Sequence, residues 1–448
     1  MSTISFLGAC REVGRSSFIV TGRESTMLDC GVKFGEAEEH PLVTKRLLKT
    51  LDRVVISHAH LDHSGYAPAL FEQGYSGPVY CTKPTRDIMQ LLLADYLRIA
   101  RESGSKTYSQ KGVAKLLAAM KCLEYGDENS FKKTGIRLDH AGHILGSATI
   151  LLRHDSGTLL YTGDLNVRET RLLEPAGSPP AADALLMEST YGAKGDVRPS
   201  TKDATQFFIS SLKRTLDAGG KVIVPTFAVG RGQEVLFTVE SHMISGALPQ
   251  LPIFLDGMVK KALRIYRHNA VHLKREIQLR ILTSDDDPFK SERYHFPERK
   301  DRSDVLEAGP CVILSTSGML NGGPVLHYLE KLGGDPANTL MLVGYQAEGT
   351  LGRKLLEGAR EFTLPNGHSV GLKLKVLQAQ FSAHADHDEL VQYARRVQGL
   401  RKVFCVHGEG GKADELAADV ERACNRGKGS HAPRVEAIVP ELGSTHEL

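Results

Sequence analysis

His58-Ala59-His60-Leu61-Asp62-His63 places four metal-binding side chains within six consecutive residues. The run follows Arg53 to Ser57, whose Val54-Val55-Ile56 centre reads as a buried strand. Imidazole nitrogen and carboxylate oxygen are donors that zinc accepts. A set without thiolates suits a catalytic ion that keeps one position open for water. One or two of these residues would read as solvated loop positions; four at this spacing read as a metal site.

A pair of metals about 3.5–4 Å apart needs further ligands. Three stand downstream: His143 in Gly142-His143-Ile144-Leu145-Gly146, Asp164 in Thr162-Gly163-Asp164, and His407 in Val406-His407-Gly408-Glu409. Each falls at a strand end or on an adjacent loop, where sites collect in open α/β architectures. Alone, any of them reads more often as a capping or structural residue.

At 448 residues the chain exceeds one ordinary hydrophobic core, so two domains are expected. The first third reads as short strands punctuated by glycines, with a helix over Thr85 to Glu102. From about Pro199 to Arg353, strands alternate with helices, the pattern of a parallel α/β sheet. Asp285 to Arg302 is polar and reads as a loop. Leu372 to Leu377 and Lys402 to Val406 read as strands resuming the first domain, and the tail after Ala437 as poorly ordered.

The seven cysteines form no C-x-x-C pair, and reduced buried thiols are expected of them. No apolar run spans a membrane, and the N-terminus lacks the pattern of a secretory signal, so the expected location is cytoplasmic. A net charge of +3 means that any polyanion partner must meet local rather than global positive charge.

Taken in order, these motifs resemble the metallo-β-lactamase superfamily. Further strings narrow the likeness to its nucleic-acid-processing β-CASP branch: Met187-Glu188-Ser189-Thr190-Tyr191-Gly192, Phe381-Ser382-Ala383-His384-Ala385-Asp386 and Val406-His407-Gly408-Glu409. Pro225 to Arg231 and Ser315 to Leu320 resemble it too, and the likeness runs from about Gly8 to Glu409. It is closest to the cleavage and polyadenylation specificity factor type and its archaeal and bacterial ribonuclease relatives.

The resemblance implies an αββα sandwich with an inserted α/β domain. Residues 1–195 and 354–448 would form the metallo-β-lactamase domain, and 196–353 the β-CASP domain. It implies two zinc ions per chain. His58, His60 and His143 would hold one, Asp62, His63 and His407 the other, with Asp164 bridging. Asp29 would orient a ligand histidine; without the resemblance it reads as a turn residue before Gly31. Glu188 and His384 would form an acid pair, and Asp29 and Asp62 join them in the catalytic set. On spacing alone, His384 reads as a loop histidine before a helix.

The implied activity is RNA phosphodiester hydrolysis, endonucleolytic, 5′→3′ exonucleolytic or both, on single-stranded RNA. Homodimerisation is implied without a readable interface. Arg231, Ser317, Gly318, Asn321 and Arg353 lie in strand-to-helix turns suited to phosphate, although most glycine-rich turns are only tight turns. The alternatives are a ribonuclease J-like 5′→3′ exonuclease, a small-molecule hydrolase of the same superfamily, and a scaffold without catalysis. The inserted domain and His384 count against the small-molecule reading. The filled ligand positions count against the scaffold.

Overall fold

The computed structural model describes all residues except 1, 36, 104–106, 132, 284–286, 299–300 and 430–431. The chain divides into two compact units. The first contains Met1–Glu169, Glu174–Val197 and His384–Leu448; the second contains Thr170–Leu173 and Arg198–Ala383.

Two seven-stranded sheets build the first unit. One has the order Thr445–Glu447, Thr3–Phe6, Phe18–Thr21, Ser25–Leu28, Arg53–Val55, Val79–Cys81, Met120–Cys122. The other has the order Glu436–Ile438, Lys402–Val406, Ala184–Glu188, Gly157–Tyr161, Ala148–His154, Thr134–His140, Asn129–Phe131. Side chains alternate along each strand, so one strand serves two layers. Leu159 and Tyr161 join Phe6, Phe18, Leu28 and Val55 in a core shared by the two sheets. Leu160, Leu185, Met187 and Cys405 face the other way. There they pack with Leu390 and Tyr393 of the helix His387–Arg396, and with Leu416 and Val420 of the helix Lys412–Asn425. Beside the first sheet, the helix Lys83–Ser103 contacts the strand Met120–Cys122.

The second unit is built on a six-stranded sheet, in the order Tyr294–His295, Ile253–Asp256, Val312–Ser315, Val222–Pro225, Thr339–Val343, Lys375–Ala379. Every pairing in it is parallel. Val222–Pro225, Val312–Ser315 and Thr339–Val343 are buried along their whole length, as strands of a covered parallel sheet are. The connections from the adjacent strands Val222–Pro225 and Val312–Ser315 leave in opposite directions. In a parallel sheet such a point opens a crevice at the strands' carboxyl ends.

Three expectations need correction. Lys375–Ala379 does not resume the first sandwich; it pairs with Thr339–Val343, so the second unit runs to Ala383 rather than to 353. The tail is not loose. Thr445–Glu447 pairs antiparallel with Thr3–Phe6, and the Phe6 N–H donates to the Ser444 carbonyl at 3.0 Å. The stretch read as a loop holds a short strand, Tyr294–His295, paired with Ile253–Asp256. Residues 285–286 and 299–300 of that stretch lie outside the described residues.

Candidate metal centre

The centre sits where strands of both sheets of the first unit end. Asp29 follows the strand Ser25–Leu28 with a left-handed backbone, φ 58°. Its buried carboxylate accepts four hydrogen bonds: from Ser57 N (2.6 Å), Ser57 Oγ (2.7 Å), Tyr161 Oη (2.7 Å) and His63 Nδ1 (2.7 Å). His63 Nδ1 donates to this carboxylate, which turns Nε2 toward Asp164. Gly31 lets the ligand run approach, since a β-carbon there would lie 1.7 Å from the Asp62 carbonyl oxygen.

Around Asp164 the side chains divide into two groups. Its Oδ2 lies 3.5 Å from His58 Nε2 and 3.5 Å from His143 Nε2. Its Oδ1 lies 3.2 Å from His63 Nε2 and 3.5 Å from His407 Nδ1. His143 Nε2 is 3.1 Å from His60 Nδ1, and His407 Nε2 is 3.4 Å from Asp62 Oδ2. One atom from each of His58, His60, His143 and Asp164 falls within 4.8 Å of the others, and the same holds for Asp62, His63 and His407.

These residues fit a divalent cation. His58 Nε2, His407 Nε2 and Asp164 Oδ1 are buried and make no hydrogen bond. Unsatisfied buried polar atoms are costly unless something else uses their lone pairs. The electrostatics agree. Burial opposes charge on Asp164, yet His63, His407, His384 and His58 outweigh it and hold the carboxyl well below its usual range. Burial, reinforced by His63, pushes His58 well down, so it stands neutral and able to ligate.

Beside the cluster, His384 Nδ1 donates to Glu188 Oε2 at 2.9 Å, with Oε1 at 3.1 Å. Glu188 is buried, and its Oε1 also accepts from Leu165 N at 2.6 Å. The His384 ring centroid is 4.6 Å from that of His143. The loop bearing His384 is fixed by Ala385 N, which donates to the Leu165 carbonyl at 2.6 Å, and by Arg168, which pairs with Asp386 at 2.8 Å and with Glu389.

Comparison with known proteins bears on this arrangement. Residues 21–184 match a metallo-β-lactamase superfamily domain, 232–355 a Beta-Casp domain, and 369–433 a Zn-dependent metallo-hydrolase RNA specificity domain. Transcription termination factor FttA of Methanocaldococcus jannaschii is 40% identical over 436 residues, covering 94% of this chain and 69% of that protein. The chain belongs to the β-CASP branch of the metallo-β-lactamase superfamily. FttA of Methanothermobacter thermautotrophicus is 38% identical over 438 residues, covering 94% of this chain and 69% of that protein. An RNase J-like protein of Methanocaldococcus jannaschii is 38% identical over 413 residues, covering 91% of this chain and 93% of that one. A crystal structure of a protein of unknown function from Enterococcus faecalis V583 shares the fold, with TM-score 0.58, 13% identity and 100% of each chain covered. As a β-CASP protein the chain is a metal-dependent ribonuclease.

The sequence pointed to further site residues in the second unit. Arg231 is buried at the first position of the helix Arg231–Ile244. Ser317 Oγ donates to the Gly322 carbonyl at 3.0 Å within its own turn, and Asn321 is exposed. Gly318 meets a neighbouring turn; a β-carbon there would lie 2.9 Å from Phe227 N. Arg353 Nε donates to Glu357 Oε1 at 2.6 Å on the helix Leu351–Leu356 and the residue after it. The structure thus brings the turns of Phe227 and Gly318 together, with Arg353 engaged at the surface.

Sequence reasoning missed three supporting residues. Ser57 serves Asp29 and lies 3.1 Å from His58 Nδ1, Tyr161 serves Asp29, and Thr190 Oγ1 lies 3.2 Å from His407 Nδ1. Tyr161 had a signal: a buried tyrosine ending a strand three residues before Asp164 needs a partner for its hydroxyl. His387, whose Nδ1 donates to the Gly192 carbonyl at 2.6 Å and whose Nε2 lies 3.2 Å from Asp419 Oδ2, and His140, stacked on Tyr125, are structural.

Proposed function

We propose that this chain is a zinc-dependent ribonuclease working with two zinc ions. His58, His60 and His143 would hold one, Asp62, His63 and His407 the other, with Asp164 between them. The observation that carries this reading is the division of Asp164: one carboxylate oxygen faces each histidine group, at 3.2–3.5 Å. When bound, the ions would supply a Lewis acid for the phosphate and a lowered pKa for water.

The rest of the chemistry belongs to the chain. Asp29 fixes the tautomer and aim of His63. Glu188 binds Nδ1 of His384, which stabilises the imidazolium and leaves Nε2 to carry a proton. His384 gives that proton to the departing 3′ oxygen, so the product carries a 5′-phosphate. Single-stranded RNA is the substrate, with its backbone held at the turns bearing Arg231, Ser317, Gly318, Asn321 and Arg353.

A ribonuclease J-like 5′→3′ exonuclease is the second reading, favoured by the match that covers 93% of the RNase J-like relative. Homodimerisation belongs to the proposal and is read by sedimentation. Metal analysis after gentle purification is expected to find two zinc ions per chain; none would remove the metal reading. Internally labelled circular RNA decides the mode. Cleavage of the circle establishes endonuclease action, whereas digestion of linear 5′-monophosphate RNA alone establishes the exonuclease.

A further inference from the structure

The strands Val79–Cys81 and Met120–Cys122 pair in parallel at one edge of the first sheet, and Cys81 stands directly opposite Cys122. Paired residues on neighbouring strands project to the same face with the backbones about 4.8 Å apart. That separation lies within the Cα span of about 4.4–6.8 Å that a disulfide bridges. Leu123 N donates to the Cys81 carbonyl at 2.9 Å and fixes the register beside the pair.

The two thiols are free and sit side by side in the register. Their surroundings differ. Cys81 is fully buried, while Cys122 is exposed on the last strand of the sheet, against the expectation of buried thiols throughout. The adjacent Cys81 thiol, with Arg86 and Lys83 nearby, lowers the Cys122 thiol to about 6 against its partial burial and Asp87. The adjacent Cys122, followed by burial, pushes Cys81 well up. An accessible thiolate beside a protonated partner is the arrangement of an attacked cysteine and its resolving cysteine.

We propose that Cys122 and Cys81 form an oxidisable dithiol whose oxidant is a hydroperoxide. The Cys122 thiolate attacks the peroxide, an S–O bond forms as the O–O bond breaks, and hydroxide or alkoxide leaves. Sulfur is oxidised by two electrons and the peroxide is reduced. Cys81 then attacks the sulfenic sulfur. The S–S bond forms, the S–O bond breaks, and the oxygen leaves as water with the Cys81 proton.

The cross-link lies beside the support of the His143 loop. Thr82, next to Cys81, donates through Oγ1 to the Gly146 carbonyl at 2.7 Å, and Thr85 Oγ1 donates to it at 2.9 Å. Tyr125, three residues after Cys122, donates to the Ser147 carbonyl at 3.0 Å, and Ser147 Oγ accepts from His143 N at 3.1 Å. Both strands therefore reach the loop that presents His143, and locking them together is expected to slow RNA cleavage. This second half rests on the nuclease reading.

The test is graded hydrogen peroxide on the full-length protein, followed by alkylation and peptide mass analysis. The expected product joins the Cys81 and Cys122 peptides, lighter by two hydrogens and reopened by dithiothreitol. Two thiols still open to alkylation, or Cys122 overoxidised beside an intact Cys81, would overturn the proposal. In parallel, peroxide is expected to slow the wild type about 10-fold, the scale of losing support behind a metal ligand. Cys122→Ser, with normal basal activity, is expected not to respond. A cross-linked enzyme of full activity would overturn the link to the His143 loop. Failure of both proteins to cleave RNA would count against the nuclease reading and leave the mass result to judge the dithiol.

Discussion

The two units use their strand ends in opposite ways. In the first, the ends of Arg53–Val55, Gly157–Tyr161, Ala184–Glu188 and Lys402–Val406 deliver His58, Asp164, Glu188 and His407, ionisable groups held in fixed directions. In the second, Val222–Pro225 and Val312–Ser315 end in turns packed so closely that Gly318 has no room for a β-carbon. Donors for a metal must converge on a point, and that convergence costs burial of charge. A polynucleotide backbone needs only close approach and exposed amides. The contrast teaches that a variant in the first unit should destroy chemistry, whereas one in the second should weaken grip.

The hardest blow to this contrast is Asp164→Ala. It removes the group facing both histidine sets, and it is expected to abolish cleavage and lower the metal content measured by emission spectroscopy. An active, metal-replete variant would break the two-group reading. Next comes His384→Ala, expected to keep its metal and slow turnover about 10²–10⁴-fold, the range for a lost general acid. Full activity would remove His384 from the mechanism, and metal loss would make it a ligand.

Asp29→Asn is milder. It keeps the shape of the support behind His63 and loses the charge, so metal affinity is expected to fall about 10–100-fold. Competition with a chelator measures it, and unchanged affinity would reduce Asp29 to a turn residue. Acid should act on His63, the histidine that Asp29 holds. Burial resists a proton on His63, but Asp164 and Asp62 outweigh burial and raise its pKa well above the ordinary histidine value. The protonated imidazole cannot ligate, so uptake of metal by the stripped protein must release a proton. Affinity is therefore expected to fall as pH drops, starting above the usual histidine range. A pH-independent affinity would place His63 outside the ligand set.

The legibility of the sequence follows the same division. His58 to His63 could be read because four donors share one loop, and nothing else accounts for such density. The supports could not: Ser57, Tyr161 and Thr190 reach the site through sheet pairing, and a lone hydroxyl residue in a strand carries no sign of its partner. The strand near Leu372 to Leu377 was visible, but its sheet was not. An apolar alternation reports burial, and Lys375–Ala379 would look the same in either sheet. Thr445-His446-Glu447 reads as polar tail because an edge strand needs only one partner, here Thr3–Phe6.

The smallest effect tests the second unit's half of the contrast. Arg353 is exposed and already paired with Glu357, an i,i+4 pair worth about 0.3–0.5 kcal/mol, so phosphate can displace that partner at little cost. If Arg353 meets the RNA backbone, Arg353→Ala weakens binding of every sequence alike. It also lowers the slope of log affinity against log salt by about 0.7, the value of one single-strand phosphate contact. Metal content and the pH profile are expected to stay unchanged, because Arg353 is absent from the metal-donor groups. An unchanged salt slope would take Arg353 out of the interface, and a changed metal content would erase the separation between the two units.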